Sequence, residues 1–317
     1  MTTTSENGRE GVVIVGSITA DVTTFSKRLP QRGETILGEE FTLLLGGKGA
    51  NQAVASGLAG APSFMVGCVG NDLFRPLVTD GLEAHGVDTS ELRVVEAPTG
   101  IAHIRVDDSG ENDIVMVPLA NDHLTPGQIS DAVSRLAPRA SVLLTQLEIP
   151  REAAAHAVRA ARTAGLTVIL DPAPAAALDR ETWASVDFVT PNETEASLIT
   201  GIPVTDAASA VRAGEWFLAQ GTGGAIITLA SAGAVLVTAD RQTVFDSYPV
   251  TAVDTTAAGD AFSGYLGASL AAGLSIDEAI RRAMAAGALA VTKKGASPSL
   301  PAADDVDLFL SAHVPSR

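Results

Sequence analysis

Runs of apolar, often β-branched residues alternate with helical patterns along most of this chain. The runs are VVIVGSI (12–18), FMVGCV (64–69), VLLTQLE (142–148), LTVILD (166–171), DFVTP (187–191) and AIITL (225–229), and helix-period stretches occupy 50–60, 73–85, 151–164 and 206–220. A strand that is apolar at nearly every position, rather than at every second one, is covered on both faces. Such strands separated by helices predict an α/β protein in three layers, α/β/α, with a mostly parallel central sheet. Ligands in that architecture gather beyond the carboxyl ends of the strands. A chain of 317 residues, 46% of them apolar, can build this as one domain with a sizeable core.

Two regions break the rhythm. Residues 18–45 are rich in Thr and Gly, and 99–119 alternate in polarity on either side of a DDSG turn, as an exposed antiparallel hairpin does. Together they predict a small β-sheet set apart from the main one, serving as a lid or a dimer contact. The helical pattern at 277–292 stops before Gly295 and Pro298. PVTAV (249–253) reads as a further strand, and TLASAG (228–233) as a hairpin turn.

Charge narrows the function. Twenty-one basic against 37 acidic residues leave a net charge of −16, with no Lys/Arg run to offset it. Such a surface repels phosphate backbones, so a nucleic-acid partner is not expected. An anionic ligand would need a site made locally from backbone amides or a few cations. Cys68, the only cysteine, sits in an apolar run and excludes an intrachain disulfide and a cysteine metal cluster. The polar MTTTSENGRE start and the lack of a long apolar stretch predict a cytoplasmic protein with no membrane span. His85, His103, His123, His156 and His313 form no zinc motif, and no G-x-S-x-G is present.

VDTTAAGDAFSGYLGASL (253–270) carries the first candidate chemistry. Small residues lead into a helix on which Phe262, Leu266 and Leu270 recur, with Gly273 as terminator. The first amides of that helix have no internal partner, and with the helix dipole they suit a phosphoryl group. Asp260, in the first turn, either accepts a proton from a hydroxyl nucleophile or simply favours the helix start. LLLGGKGANQAVASGLAG (43–60) has a similar build, with Lys48 and Asn51 as donors. It is not a Walker loop, because Gly rather than Ser or Thr follows the lysine. Asp21 and Glu148 fall at strand ends. Asn192 with Glu195 matches a capping box, which is a complete structural explanation by itself.

Taken in order, GSITAD, GETILG, GGKGANQAVA, QLEIP, DPAPA, TPNETEA, VDTTAAGDAFSG and VTKKGASPSLP resemble the ribokinase branch of the phosphofructokinase B (PfkB) carbohydrate kinases over nearly the whole chain. The resemblance implies a ribokinase-like fold and ATP-dependent phosphorylation of a sugar hydroxyl, most directly O5 of D-ribose. By position it implies Asp260 as catalytic base, with Ala257, Ala258 and Gly259 forming the anion hole. Thr19, Asp21, Gly47, Lys48, Asn51 and Glu148 match sugar-contacting positions. Asn192, Thr228, Ala230, Ser231, Gly233, Gly259 and Met284 match nucleotide-contacting positions. Glu195 matches the acid associated with Mg²⁺ through water. Asp254, Thr256, Ala290, Lys293, Gly295 and Ser299 match a K⁺ site that orders the anion-hole loop. A homodimer through the lid is implied as well.

One departure bears on substrate. The family's turn usually reads SINAD, and this chain has Thr19 in place of the asparagine. A hydroxyl lacks the reach of an amide that both donates and accepts, which opens 2-deoxyribose or another pentose as substrate. A sugar acid would want an arginine, for which Arg32 and Arg105 are available; a nucleoside kinase and a non-enzymatic sugar or nucleotide binder are the remaining alternatives.

Overall fold

The computed structural model describes residues 9–109 and 112–313. The strands are β1 (Gly11–Val15), β2 (Thr19–Ser26), β3 (Glu40–Gly46), β4 (Ser63–Gly70), β5 (Val87–Val95), β6 (Gly100–Asp107) and β7 (Asn112–Val117). They continue with β8 (Ala140–Thr145), β9 (Thr167–Leu170), β10 (Phe188–Val189), β11 (Gly224–Thr228), β12 (Ala234–Thr238) and β13 (Gln242–Phe245). The helices are α1 (Lys48–Leu58), α2 (Arg75–Ala84), α3 (Pro126–Leu136), α4 (Arg151–Thr163) and α5 (Arg180–Trp183). After them come α6 (Glu193–Thr200), α7 (Ala207–Gln220), α8 (Ala258–Ala271), α9 (Ile276–Ala290) and α10 (Ala303–His313).

Nine strands form one sheet in the order β13-β12-β11-β10-β9-β8-β1-β4-β5, every pair parallel except those that β12 makes with β11 and β13. The continuous apolar character of the inner strands has the expected cause. In β1, Val13 and Val15 join a core with α3, α4 and α7, whereas Val12 and Ile14 join a second core with α1, α8 and α9. Helices therefore cover both faces, as the sequence pattern required.

The remaining strands make a separate four-stranded sheet, β3-β2-β6-β7, in which only the β2–β6 pair is parallel. The hairpin expected at 99–119 is β6–β7; Gly110 of its DDSG turn lies outside the described residues, as do residues 1–8 of the polar start. The sequence-predicted strand at 12–18 ends at Val15. Residues 16–18 instead carry the chain from the large sheet to the small one, and the Asn121 side chain grips Ile18 there, accepting from its N–H and donating to its C=O, each at 2.9 Å. The strand expected at 249–253 does not form. Val253 and Asp254 both donate their amides to Val291 O, so this segment is tied to the end of α9 rather than to a sheet neighbour. TLASAG is the β11–β12 hairpin connection, with a short 3₁₀ turn at Ala230–Ala232.

Candidate active site

Helix α8 is buried along most of its length and begins at the carboxyl edge of the large sheet. Its entry is built from small residues. Ala257 takes a left-handed conformation (φ 58°), an uncommon choice for a residue with a Cβ and one that costs about 1–2 kcal/mol. Helix geometry provides the opening amides of α8 no acceptor within the helix; that of Ala258 reaches back to Thr255 O at 3.4 Å. Gly259 is exposed at this entry, and a Cβ placed on it would meet no protein atom within 4 Å. Asp260, one residue on, is only 4% exposed.

Asp260 is held by a neighbouring helix. Its Oδ2 accepts from Asn51 Nδ2 at 3.0 Å, and its Oδ1 from Gln52 Nε2 at 3.1 Å. Such reach requires α1 and α8 to pack at backbone distance. Gly264 permits it: a Cβ there would come 2.5 Å from the Ala55 Cβ and 2.8 Å from Gln52 O. Asn51 Oδ1 lies 3.0 Å from the Ser297 hydroxyl, whose one proton is shared with Leu45 O at 2.9 Å.

The glycine-rich segment joins β3 to α1 through Gly47 alone, at φ 89°. A side chain on Gly46 would collide with the Asp21 carboxylate. Glu148 fastens this segment: its Oε2 accepts from the Lys48 amide at 2.9 Å and from Ser17 Oγ at 2.6 Å. Thr19 Oγ1 donates to Asp21 Oδ1 at 2.6 Å, and both residues are buried. Burial, reinforced by the charges of Glu148 and Asp260 and opposed by the Thr19 hydrogen bond, raises Asp21 to about 6.

In front of Asp260 lies a cleft of about 210 Å³. Of the sequence-predicted residues it gathers Lys48, Asn192, Glu195, Thr228, Ala257, Gly259 and Asp260. Asp171, Thr190, Thr255, Phe262 and Ser263 line it too, and sequence reasoning had assigned none of these five to the site. Burial disfavours the charge on Lys48, but the carboxylates of Asp260, Asp171, Glu148 and Glu195 outweigh it and raise the lysine's pKa, so it stays cationic. Burial likewise drives Asp171 well above the usual carboxylate range, with Lys48 pulling the other way. A larger hollow of about 300 Å³ beside α4 holds Arg151, Arg159 and Asp179 but none of the residues above.

Asn192 and Glu195 do form the capping box, Asn192 Oδ1 accepting from the Glu195 amide and Glu195 Oε2 from the Asn192 amide. They also line the cleft, so the residues of the cap are at the same time residues of its wall. Asn192 pairs with Thr228 on the adjoining strand end. Ala230, Ser231 and Gly233 form the turn just past Thr228, and half-buried Met284 lies on α9; none of these four lines the cleft itself.

Of the predicted cation residues, Asp254 ties Thr256 and Gly295 together. Its Oδ1 accepts from the Thr256 amide and hydroxyl, and its Oδ2 from the Gly295 amide, linking the approach to α8 with the loop after α9. Ala290 ends α9, its carbonyl accepting from the Lys293 amide, while the Lys293 side chain is exposed. Ser299 Oγ donates to Ala296 O. Burial opposes the Asp254 charge, but the bonds from Thr256 and Gly295 prevail and lower its pKa. Arg105, one of the two arginines considered for a sugar acid, is occupied by a bidentate pair with Asp113.

A three-layer α/β/α architecture with a separate small sheet, and a carboxylate beside open helix-N-terminal amides at the carboxyl edge of the large one, define a phosphoryl-transferring class. Residues 9–303 match the profile of the pfkB family carbohydrate kinases, and the chain belongs to that family. Among its curated relatives is the ribokinase of Haemophilus influenzae, 38% identical over 303 residues that cover 95% of this chain and 99% of the relative. The deoxyribokinase of Salmonella typhi is 33% identical, covering 95% and 98%. Among solved structures, Arabidopsis thaliana ribokinase complexed with ribose and ATP superposes with a TM-score of 0.87 at 32% identity, covering 95% of this chain and 99% of that one.

Proposed function

We propose that this protein transfers the γ-phosphoryl group of ATP to the primary 5-hydroxyl of a pentose, with D-ribose as substrate and D-ribose 5-phosphate as product. The observation that carries the reading is the placement of Asp260: buried, gripped on both oxygens, and opening onto the cleft next to the amides of α8. Asp260 would accept the proton of the attacking hydroxyl, while the amides of Ala258, Gly259 and Asp260 take charge that develops on the transferring group. Positioning and charge stabilisation are what such a transfer needs, since the protein performs little covalent chemistry in it. Asp21, Lys48, Asn51 and Glu148 would orient the sugar. Asn192, Thr228 and the turn to Gly233, with Met284, would receive the nucleotide.

Two cations fit the residues present. One oxygen of Glu195 takes the Asn192 amide, which leaves the other to hold a metal-bound water. Among the described residues no cluster of three or more acidic, His or Cys side chains forms a direct metal cage, which favours Mg²⁺ arriving with the nucleotide and touching the protein through water. Mg²⁺ would supply neutralisation of the phosphate charge. The ionised Asp254, with the backbone oxygens of Thr256 beside it and of Ala290, Lys293, Gly295 and Ser299 in the segment that the Gly295 amide ties to it, suits K⁺, which would steady the Ala257 turn without touching substrate.

A second reading is favoured by one observation. Thr19 has committed its hydroxyl proton to Asp21, so it has none to offer a sugar 2-hydroxyl. This supports 2-deoxyribose as an alternative substrate. The smaller sheet would close over the sugar as a lid. Its exposed apolar side chains Phe41, Ile114, Val115 and Val117 suit a homodimer formed through the same sheet. No described helix is long and apolar enough to cross a membrane, and we place the reaction in the cytoplasm, where ATP is at hand.

The test is an ADP-release assay over ribose, 2-deoxyribose, other pentoses, hexoses and nucleosides with Mg²⁺ and K⁺ present. Turnover greatest on ribose supports the first reading and greatest on 2-deoxyribose the second. Sugar-dependent thermal stabilisation with no turnover on any of them would make the protein a binder instead.

A further inference from the structure

Gln52 follows Asn51 on α1, is wholly buried, and has no place in the sugar, nucleotide or cation sets above. All its side-chain partners are themselves side chains. Nε2 donates to Asp171 Oδ2 at 2.7 Å and to Asp260 Oδ1 at 3.1 Å, and Oε1 accepts from Gln146 Nε2 at 2.5 Å. A carboxamide nitrogen has two hydrogens; here each goes to a different acid. The reverse orientation would set an oxygen against the Asp260 carboxylate and a nitrogen against the Gln146 nitrogen, losing the bonds to both.

The observed orientation bears on Asp260. Asn51 donates to one of its oxygens and Gln52 to the other, and both donors come from consecutive residues of one rigid helix. Two donors on opposite oxygens fix the rotation of the carboxylate about its Cβ–Cγ bond, and each oxygen keeps a lone pair for a further partner. Asp171 and Asp260 both line the cleft, whereas Gln52 and Gln146 stand behind them and are fully buried.

We propose that Gln52, braced by Gln146 and Asp171, is a positioning residue of the phosphoryl transfer: its carboxamide sets the plane of the Asp260 carboxylate so that a free lone pair meets the sugar hydroxyl. The inference rests on Asp260 acting as the base. Its physical ground is the steep dependence of such steps on alignment, where a misplacement of about 1 Å costs on the order of 10²-fold. Gln52 touches no reacting atom and acts only through Asp260.

The experiment is a double-mutant cycle. Gln52→Met keeps the volume and removes the donors. It is expected to lower kcat about 10- to 100-fold while KM for sugar and for ATP stay within about threefold, the signature of an interaction expressed in the transition state. In the Asp260→Asn background the same change is expected to cost less than about twofold, because its target is gone. An equal loss in both backgrounds, or a raised KM with unchanged kcat, overturns the inference and leaves the base in place. Near-native turnover by Asp260→Asn alone removes the base reading and this inference with it. Should thermal melting show Gln52→Met unfolded, Gln146→Met decides: it strips the brace without touching either acid, and a fall in kcat of about threefold or more at native KM supports the inference, whereas native kcat overturns it.

Discussion

Thr19 Oγ1 donates a 2.6 Å hydrogen bond to Asp21 Oδ1, and both side chains are buried where β2 begins, beneath the glycine-rich turn. A hydroxyl has one proton, so Thr19 meets any sugar as an acceptor only. Thr19→Asn would restore a donor pointing the same way. The ratio of kcat/KM for ribose to that for 2-deoxyribose is expected to rise about tenfold, the worth of one good neutral hydrogen bond. Steady-state kinetics on both sugars check it, and an unchanged ratio means that Thr19 does not read the 2-position.

Asp260→Asn is expected to lower kcat by about 10²–10⁴-fold, the scale of a lost general base. The variant also turns an amide hydrogen toward the donor of Asn51 or Gln52, so a modest drop in melting temperature accompanies it. Purified variant with near-normal turnover would refute the assignment.

Gly259→Ala separates folding from function. No protein atom obstructs the added methyl, and alanine is the better helix former by up to about 1 kcal/mol. The melting temperature is expected to hold or rise. The methyl, however, would crowd the place of the phosphoryl group, so kcat/KM for ATP is expected to fall by about tenfold or more, the loss of one donor from such a hole costing about 10²–10³-fold. A variant as active as the parent would move the anion hole elsewhere.

The pH dependence of stability follows from Asp21, raised to about 6 from an ordinary 3.8. Between those values the folded chain binds the proton more tightly than the unfolded chain does. Stability is therefore lost as pH rises from about 4 to 6 and is level on either side as far as this group is concerned. That difference corresponds to about 3 kcal/mol. Asp21→Asn cannot ionise, so its melting temperature relative to the parent is expected to climb between pH 4 and pH 7. Parallel curves would mean that Asp21 titrates normally.

Monovalent-cation dependence tests the loop around Asp254. Replacing K⁺ by tetramethylammonium is expected to lower kcat/KM for ATP about 5- to 150-fold, the usual span of coupling between sites. Asp254→Ala is expected to be impaired already and indifferent to the exchange. A parent enzyme indifferent to the cation would remove the site.

Much of this was legible in the residues. The continuous apolar runs announced the parallel sheet because both faces of β1, β8 and β9 are covered. Alternation at 99–119 announced the hairpin, although β7 meets solvent on both faces, Ile114 and Val115 being exposed on opposite sides. PVTAV misled because local β-propensity cannot see that Val291, 38 residues on, takes the amides of Val253 and Asp254. VVIVGSI ran too long because the end of β1 is set by Asn121, a residue from a distant loop with no pattern of its own. Asp171 and Gln52 were missed for a related reason. Asp171 closes an apolar strand and Gln52 sits within an alanine-rich helix, and only the fold makes them neighbours of Asp260.

Gly47 is the sole link between the last residue of a small-sheet strand and the first of the helix whose second turn grips Asp260. On the proposed reading, the sheet that would cover the sugar and the acid that would take its proton lie in series along one stretch of chain, so that seating a sugar and aiming the acid would be a single movement rather than two.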